Sequence, residues 1–260
     1  MTLVPDNNAA VTAKDVTVAY GSRVIQRDLN FTVNRGDIFI IMGGSGCGKS
    51  SLLRVLMGLM PPAKGTVFYG QKDFWGASAA ERDAVMRRTG VMFQSGALWT
   101  SRTLAENVAL PLEYYTDLSP SDIRALASFK LSLVGLAGFE DFYPSEISGG
   151  MKKRAGLARA LALDPDVVYF DEPSAGLDPV SAARLDELIL QLRDTLGMTV
   201  VVVTHELASI FAIANNSVFL DAKTRTMTAG GDPHELLKHG PDEVVEFLTR
   251  GKGRASGGLQ

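Results

Sequence analysis

The chain has 260 residues, 46% of them hydrophobic and 21% charged, which is enough to bury a sizeable core without covalent staples. Its 26 Lys and Arg against 29 Asp and Glu leave a net charge of -3, which argues against a globally basic nucleic-acid binder while allowing a local basic patch. One cysteine, Cys47, excludes an internal disulfide framework, and the scattered His205, His234 and His239 form no zinc-ligand pattern with it.

Residues 1–10 lack the basic start and apolar run of a signal peptide. The longest apolar runs, 38–42, 167–170 and 198–203, are far shorter than the ~20 residues that cross a bilayer. A cytosolic or peripheral protein is expected. Residues 16–20 and 29–33 alternate as half-buried strands around a Gly21-Ser22 turn. Residues 38–42 form a continuous apolar run, as in a strand buried on both faces of a parallel sheet. A glycine-rich loop follows, then a helix over 51–59 that ends at Met60-Pro61-Pro62. Residues 100–148 have few β-branched runs and read as a helical insert, with a helix over 119–136 capped by Ser119 or Ser121. A strand over 167–170, a helix near 180–196 and a strand over 199–203 continue a parallel, doubly wound α/β pattern. Residues 233–250 read as a short amphipathic helical tail with Leu236, Leu237, Val244, Val245, Phe247 and Leu248 as its apolar positions. The Gly/Ser-rich 251–260, with Lys252 and Arg254, is expected to be disordered.

Gly43-Gly44-Ser45-Gly46-Cys47-Gly48-Lys49-Ser50 fits G-x-x-x-x-G-K-[ST] directly after the buried strand. Glycines let the backbone wrap a polyphosphate with several N–H groups pointing inward, and the following helix aims its positive end at the same anion. Lys49 is expected to neutralise the β- and γ-phosphates, and the Ser50 hydroxyl to take a Mg2+ position. Cys47 reads as a small filler. Farther on, Val167-Val168-Tyr169-Phe170 ends in two acids, Asp171 and Glu172. Carboxylates emerging at the end of a buried strand sit where open α/β sheets place their sites. Asp171 is expected to hold Mg2+ and Glu172 to orient and deprotonate the attacking water. Alternation would put neighbours on opposite faces, so the two share a site only if the chain turns there, as Pro173 suggests.

With these residues in place, Ile147-Ser148-Gly149-Gly150-Met151 resembles the signature segment of ATP-binding cassette (ABC) ATPases, and the other motifs of that family follow in order. Tyr20 matches the aromatic that stacks on adenine, Gln94 the glutamine loop, Ser174-Ala175-Gly176-Leu177-Asp178 the D-loop, and His205 the switch histidine. The resemblance covers residues 14–248 as a single ABC ATPase domain, with a helical subdomain inserted at roughly 95–160 and residues 249–260 as a tail. It implies a P-loop NTPase parallel-sheet core with an N-terminal antiparallel β subdomain and an inserted α-helical subdomain. ATP and Mg2+ are the implied cofactors. Catalytic roles fall on Glu172, His205 and Gln94, and metal contacts on Ser50, Gln94 and Asp171. Nucleotide contacts fall on Tyr20, Gly43, Gly44, Ser45, Gly46, Cys47, Gly48, Lys49, Ser50, Ser51, Ser148, Gly149, Gly150 and Asp178. Ile147 and Met151 depart from the usual L-S-G-G-Q. Together with Phe93-Gln94-Ser95-Gly96-Ala97-Leu98, the segment resembles the ATPases of the Mla/Mce class of lipid transporters, in which L-S-G-G-M is usual.

Taken singly, several of these residues have blander readings: Tyr20 as an edge-strand aromatic, His205 as a structural histidine, Gln94 as a polar loop residue. Lys152, Lys153 and Arg154 lie in the first turns of the helix capped by Ser148, where each cation opposes the helix dipole by ~0.3–1 kcal/mol. On periodicity they read as a solvated basic face. The resemblance implies instead that the γ-phosphate of the facing subunit's ATP, held mainly by Ser148 and the Gly149 and Gly150 amides, offsets the repulsion, with the two lysines supplying a general field to it rather than a specific bond. Changing Lys152 and Lys153 to Gln should then weaken ATP-dependent dimerisation only modestly.

One phosphate loop and one signature segment per chain imply a C2 homodimer with ATP sandwiched between Lys49 of one subunit and Ser148 of the other. The implied partners are integral membrane permease subunits of Mla/Mce type, with a periplasmic MCE-domain lipid-binding protein and a small cytoplasmic accessory subunit, and no nucleic acid. The implied place is peripheral, on the cytoplasmic face of the bacterial inner membrane. Trp99 is the candidate anchor for the permease, while Tyr114 and Tyr115 either face that partner or pack the insert. Phospholipid transport in envelope lipid homeostasis is the preferred reading. Polar-solute import and a non-transport ABC ATPase are the alternatives, the latter disfavoured by the absence of a long coiled-coil insertion or a second cassette.

Overall fold

The computed structural model describes residues 6–251. Residues 252–260 of the tail expected to be disordered, and the first five of the segment read for a leader, lie outside them. The elements in chain order are β1 (Ala9–Tyr20), β2 (Arg23–Asn34), β3 (Ile38–Gly43), α1 (Lys49–Leu56), β4 (Lys64–Tyr69), β5 (Lys72–Asp73), α2 (Ala79–Met86), β6 (Thr89–Met92), α3 (Leu104–Tyr115) and α4 (Pro120–Leu133). After a 3-10 turn at Pro144–Glu146 come α5 (Gly149–Ala160), β7 (Val167–Asp171), α6 (Pro179–Leu196), β8 (Thr199–Val203), α7 (Leu207–Ile213), β9 (Asn216–Leu220), β10 (Met227–Gly230), α8 (Pro233–His239) and α9 (Asp242–Leu248). This α/β chain divides into two compact units, one up to Trp75 and from Val203 onward, the other Gly76–Val202.

In the first unit, β2-β1-β4-β5 form an antiparallel sheet. β1 and β2 each run longer than the alternating segments predict. Ala9, Ala10, Val11 and Ala13 are buried, and small alanines carry a weak strand signal. A second strand layer runs β10-β9-β3, with β3 parallel to β9 from Phe39↔Asn216 to Gly43↔Leu220. Every residue of β3 is buried, as its apolar run requires. α1 begins at Lys49, with Gly48 in a left-handed conformation at the N-cap position. The C-terminal segment is two helices rather than one. Gly240 and Pro241 separate α8 from α9, since proline cannot continue a helix through its missing N–H. Val244, Val245 and Leu248 are buried, and the Phe247 ring meets Phe219 edge-on at 5.3 Å.

In the second unit the strand order is β8-β7-β6, with β6 parallel to β7. Val168, Tyr169 and Phe170 of β7 are completely buried. α3, α4 and α5 pack on one another around Leu104, Val108, Ala127, Leu131 and Leu157, all fully buried. Their starts are explicit in sequence. Thr103 and Glu106 form a capping box for α3, and Ser119 caps α4 with Pro120 in its first turn. Among the described residues, no helix is long and apolar enough to cross a membrane.

Candidate nucleotide site

The sequence-predicted residues fall into two groups. Tyr20, residues 43–51 and His205 belong to the first unit; Gln94, Ser148, Gly149, Gly150, Asp171, Glu172 and Asp178 belong to the second.

The glycine loop joins β3 to α1, and its geometry needs glycine. Gly43 has φ +148°, and a Cβ there would stand 2.4 Å from the Leu220 carbonyl oxygen; at Gly48, φ +102°, it would meet Ile25 Cγ2 at 2.4 Å. Gly44 and Gly46 instead face open space, so the loop keeps an exposed rim of backbone above a packed floor. Lys49 is buried, and its ammonium donates to the carbonyls of Gly43 at 2.8 Å and Gly44 at 3.1 Å. The lysine is thus held inside the curl of the loop. Cys47 is buried as a filler, and burial pushes its thiol pKa up. Ser50 is exposed on the first turn of α1. A curled backbone, a lysine within it, and a hydroxyl at a helix start suit a polyphosphate and an oxygen-seeking cation.

Tyr20, at the end of β1, is 45% exposed. Its hydroxyl accepts from Arg54 at 3.2 Å and lies 3.3 Å from the Ser51 hydroxyl. The bonds to Ser51 and Arg54 hold the phenol below its ordinary pKa. Its ring is thereby moored to the first turns of α1, with a face available for stacking. His205 follows β8 in an exposed turn that Thr204 shapes by accepting from the Glu206 N–H at 3.1 Å. His205 and Gly44 line one cavity of about 540 Å³ with Asp221, Lys223 and Phe247.

In the second unit Asp171 is the last residue of β7, and the chain turns at once. Glu172 adopts φ +50°, a left-handed conformation that costs a non-glycine residue about 1–2 kcal/mol. The Ala175 N–H donates back to the Glu172 carbonyl at 3.2 Å. This turn is what a strand alone could not supply: it breaks the alternation that would send adjacent carboxylates to opposite faces. Both side chains are half-buried. Asp178 closes the loop by capping α6, its Oδ1 accepting from the Val180 and Ser181 N–H groups at 3.1 and 3.0 Å.

Ser148 caps α5, accepting from the Met151 N–H at 3.3 Å. Ser148 and Gly150 share a cavity of about 580 Å³ with Leu177 and Ser181, so the signature segment and the D-loop open on one space. Gln94 is exposed just beyond β6. Its loop is pressed onto α5: a Cβ at Gly156 would stand 2.9 Å from Gly96 Cα. The Arg159 guanidinium donates to the Gly96 and Ala97 carbonyls at 2.9 and 2.7 Å. Trp99 and Tyr114 are 61% and 79% exposed, so neither packs the insert. The Trp99 turn is held by Asn107, a completely buried residue whose amide bridges to both the N–H and the carbonyl of Trp99.

The solvated basic face expected of the cations after Ser148 needs correction. Lys153 is not on a solvated face: it is 6% exposed, and its ammonium donates to the Pro173 carbonyl at 2.5 Å and the Glu172 carbonyl at 3.5 Å. Arg154 donates to the carbonyls of Val134 and Gly135 at 3.1 and 3.2 Å. Two of the three cations therefore make specific bonds, because α5 lies against other backbone where a free helix would meet water. Gln26 was also missed. It is completely buried in β2 and its amide donates to the Cys47 carbonyl at 2.6 Å and the Asp221 carbonyl at 3.0 Å, strapping the phosphate loop. A glutamine in an otherwise alternating strand was the available signal, but it names no partner.

Comparison with known proteins identifies the family. A family model described as ABC transporter matches residues 26–175. The intermembrane phospholipid transport system ATP-binding protein MlaF of Haemophilus influenzae is 40% identical over 252 residues, covering 96% of this chain and 93% of that protein. The probable ribonucleotide transport ATP-binding protein mkl of Mycobacterium leprae is 39% identical, covering 94% of this chain and 69% of its own. Among solved structures, a dimeric post-hydrolysis state of the cassette MJ0796 bound to ADP and Pi has a TM-score of 0.76 at 29% identity, covering 85% of this chain and 98% of its own. CbiO1 of Clostridium perfringens has the same fold, with a TM-score of 0.81 at 24% identity over 94% of this chain and 95% of its own. The chain belongs to the ABC transporter family as an ATP-binding, ATP-hydrolysing cassette.

Proposed function

We propose that this cassette powers phospholipid transport through a membrane permease as a C2 homodimer. The observation that carries the reading is the 40% identity to MlaF along nearly the whole of both chains. The Phe93 to Leu98 segment and Met151 after the signature glycines support it from the residues. In this reading the cassette sits on the cytoplasmic face of the bacterial inner membrane. Trp99, exposed on a turn fixed by Asn107, supports an anchoring role toward the permease. A periplasmic MCE-domain protein and a small cytoplasmic subunit complete the proposed assembly.

Each residue has a task in the cycle. Lys49 and the amides of residues 43–48 bind the phosphates, and Tyr20 stacks on adenine. Ser148, Gly149 and Gly150 bind the γ-phosphate held by the facing subunit, with Asp178 bracing the segment beside them. Ser50, Asp171 and Gln94 offer only oxygen donors, the set that suits Mg2+. When bound, that ion neutralises charge on the β- and γ-phosphates. Glu172 accepts the proton of the attacking water, and His205 contacts the γ-phosphate. ATP closes the dimer, and loss of the γ-phosphate opens it.

The test is affinity purification of the tagged Glu172→Gln chain from its native membranes with ATP, followed by mass spectrometry of proteins and lipids. A multispanning permease with an MCE-domain partner and retained phospholipid is expected. A permease with a soluble binding protein and no lipid would replace the lipid reading by polar-solute import, the class that the name of the mycobacterial relative suggests.

A further inference from the structure

α5 does more than present Ser148. Lys153, Gly156 and Arg159 recur at intervals of three and so share one broad face of the helix. That face meets two loops. Lys153 binds the consecutive carbonyls of Glu172 and Pro173, while Gly156 and Arg159 hold the Gln94 loop through Gly96 and Ala97. Glu172 sits at φ +50°, a conformation that persists only where the surroundings over-determine it. A buried ammonium also needs its partners, because removal of either side leaves an unmet polar group out of water. Both requirements are met by the same bonds.

We infer that Lys153 is a positioning residue that fixes the Glu172 turn to the signature helix, so that the helix capped by Ser148 also sets the geometry of the subunit's own carboxylate. This rests on the reading of Glu172 as the base. Its consequence is a mechanical link: movement of α5 on meeting the partner's ATP displaces the Glu172 turn and the Gln94 loop of the same subunit together. Lys153 touches no reacting atom in this scheme. It acts through the backbone.

Full-length Lys153→Met, Lys153→Gln and Lys153→Arg chains would be compared with the wild type by single-turnover MgATP hydrolysis, by binding of a fluorescent ATP analogue and by thermal unfolding. The Met and Gln variants should slow hydrolysis by about 10²-fold, the cost of misplacing a catalytic group by roughly 1 Å. Nucleotide affinity should stay within about twofold, as expected when only transition-state geometry is lost. Arg, which keeps a charged donor, should restore most of the rate. In the Glu172→Gln background, Lys153→Met should slow hydrolysis no further, because the group it positions is already gone. Loss of affinity in step with the rate, no rescue by Arg, or an additive loss in the double variant overturns the proposal and leaves Glu172 as the base. Thermal unfolding checks that each variant is folded at the assay temperature, since loss of the buried bonds lowers stability in either case. Near-wild-type hydrolysis by Glu172→Gln alone overturns the reading of Glu172 and this inference with it.

Discussion

The phosphate loop and the carboxylate turn both need backbone conformations that ordinary residues avoid, and they reach them by opposite means. At Gly43 and Gly48 the chain uses glycine, whose missing side chain removes both the positive-φ penalty and the clash with Leu220 and Ile25. At residue 172 glycine is not available, because the proposed chemistry needs a carboxylate. The chain accepts a left-handed glutamate, and Lys153 of α5 bonds to the carbonyls of Glu172 and Pro173 in that turn. The lesson is general: where the special backbone and the reactive side chain must be the same residue, the support comes from elsewhere in the fold.

Perturbations of the two regions should therefore fail differently. The largest effect is expected from Glu172→Gln, which removes the proposed base and should lower the hydrolysis rate by roughly 10²–10⁴-fold while leaving nucleotide binding intact; a rate near wild type would break the comparison outright. Gly43→Ala should act on the fold, since its Cβ meets a backbone oxygen at 2.4 Å. A loss of about 3 kcal/mol or more in unfolding free energy, combining overpacking with strain, would be read by denaturant titration. Gly156→Ala meets backbone too, at 2.9 Å from Gly96 Cα, and should cost about 1–3 kcal/mol, with a rate loss that exceeds any change in ATP affinity. Tyr20→Ala leaves backbone untouched and should weaken ATP binding by about 1 kcal/mol, measured by calorimetry, through loss of stacking. Lys152→Gln sharpens the contrast within α5. Its stability change should stay within about 0.5 kcal/mol, the range of surface substitutions, whereas Lys153→Gln should not behave as its pair.

Much of the fold and most of the candidate site could be read from contiguous residues. β3, the glycine loop and α1 follow one another without interruption, so the apolar run and the G-x-x-x-x-G-K-S spacing specify a local path. The caps at Ser119, Ser148 and Asp178 are equally local, each side chain bonding to an N–H two or three residues on. Residues 64–92 were harder. β4, β5, α2 and β6 are short, and α2 buries no side chain, so it shows no apolar stripe to recognise. The C-terminal segment reads as helical from its apolar positions, and the break into two helices rests on Gly240-Pro241 alone.

The sequence by itself determined that this is an ATP-using cassette, because the groups proposed to meet phosphate and water lie on short turns whose geometry depends on near neighbours. Only the tertiary structure decided what Lys153, Arg159 and Gln26 do. Their bonds go to carbonyls 20, 62 and 21 residues away, and which carbonyls a long polar side chain can reach depends on how helices and loops pack. A cation near a helix start reads as solvated until another backbone is laid against it, and burial then turns a general charge into a specific bond.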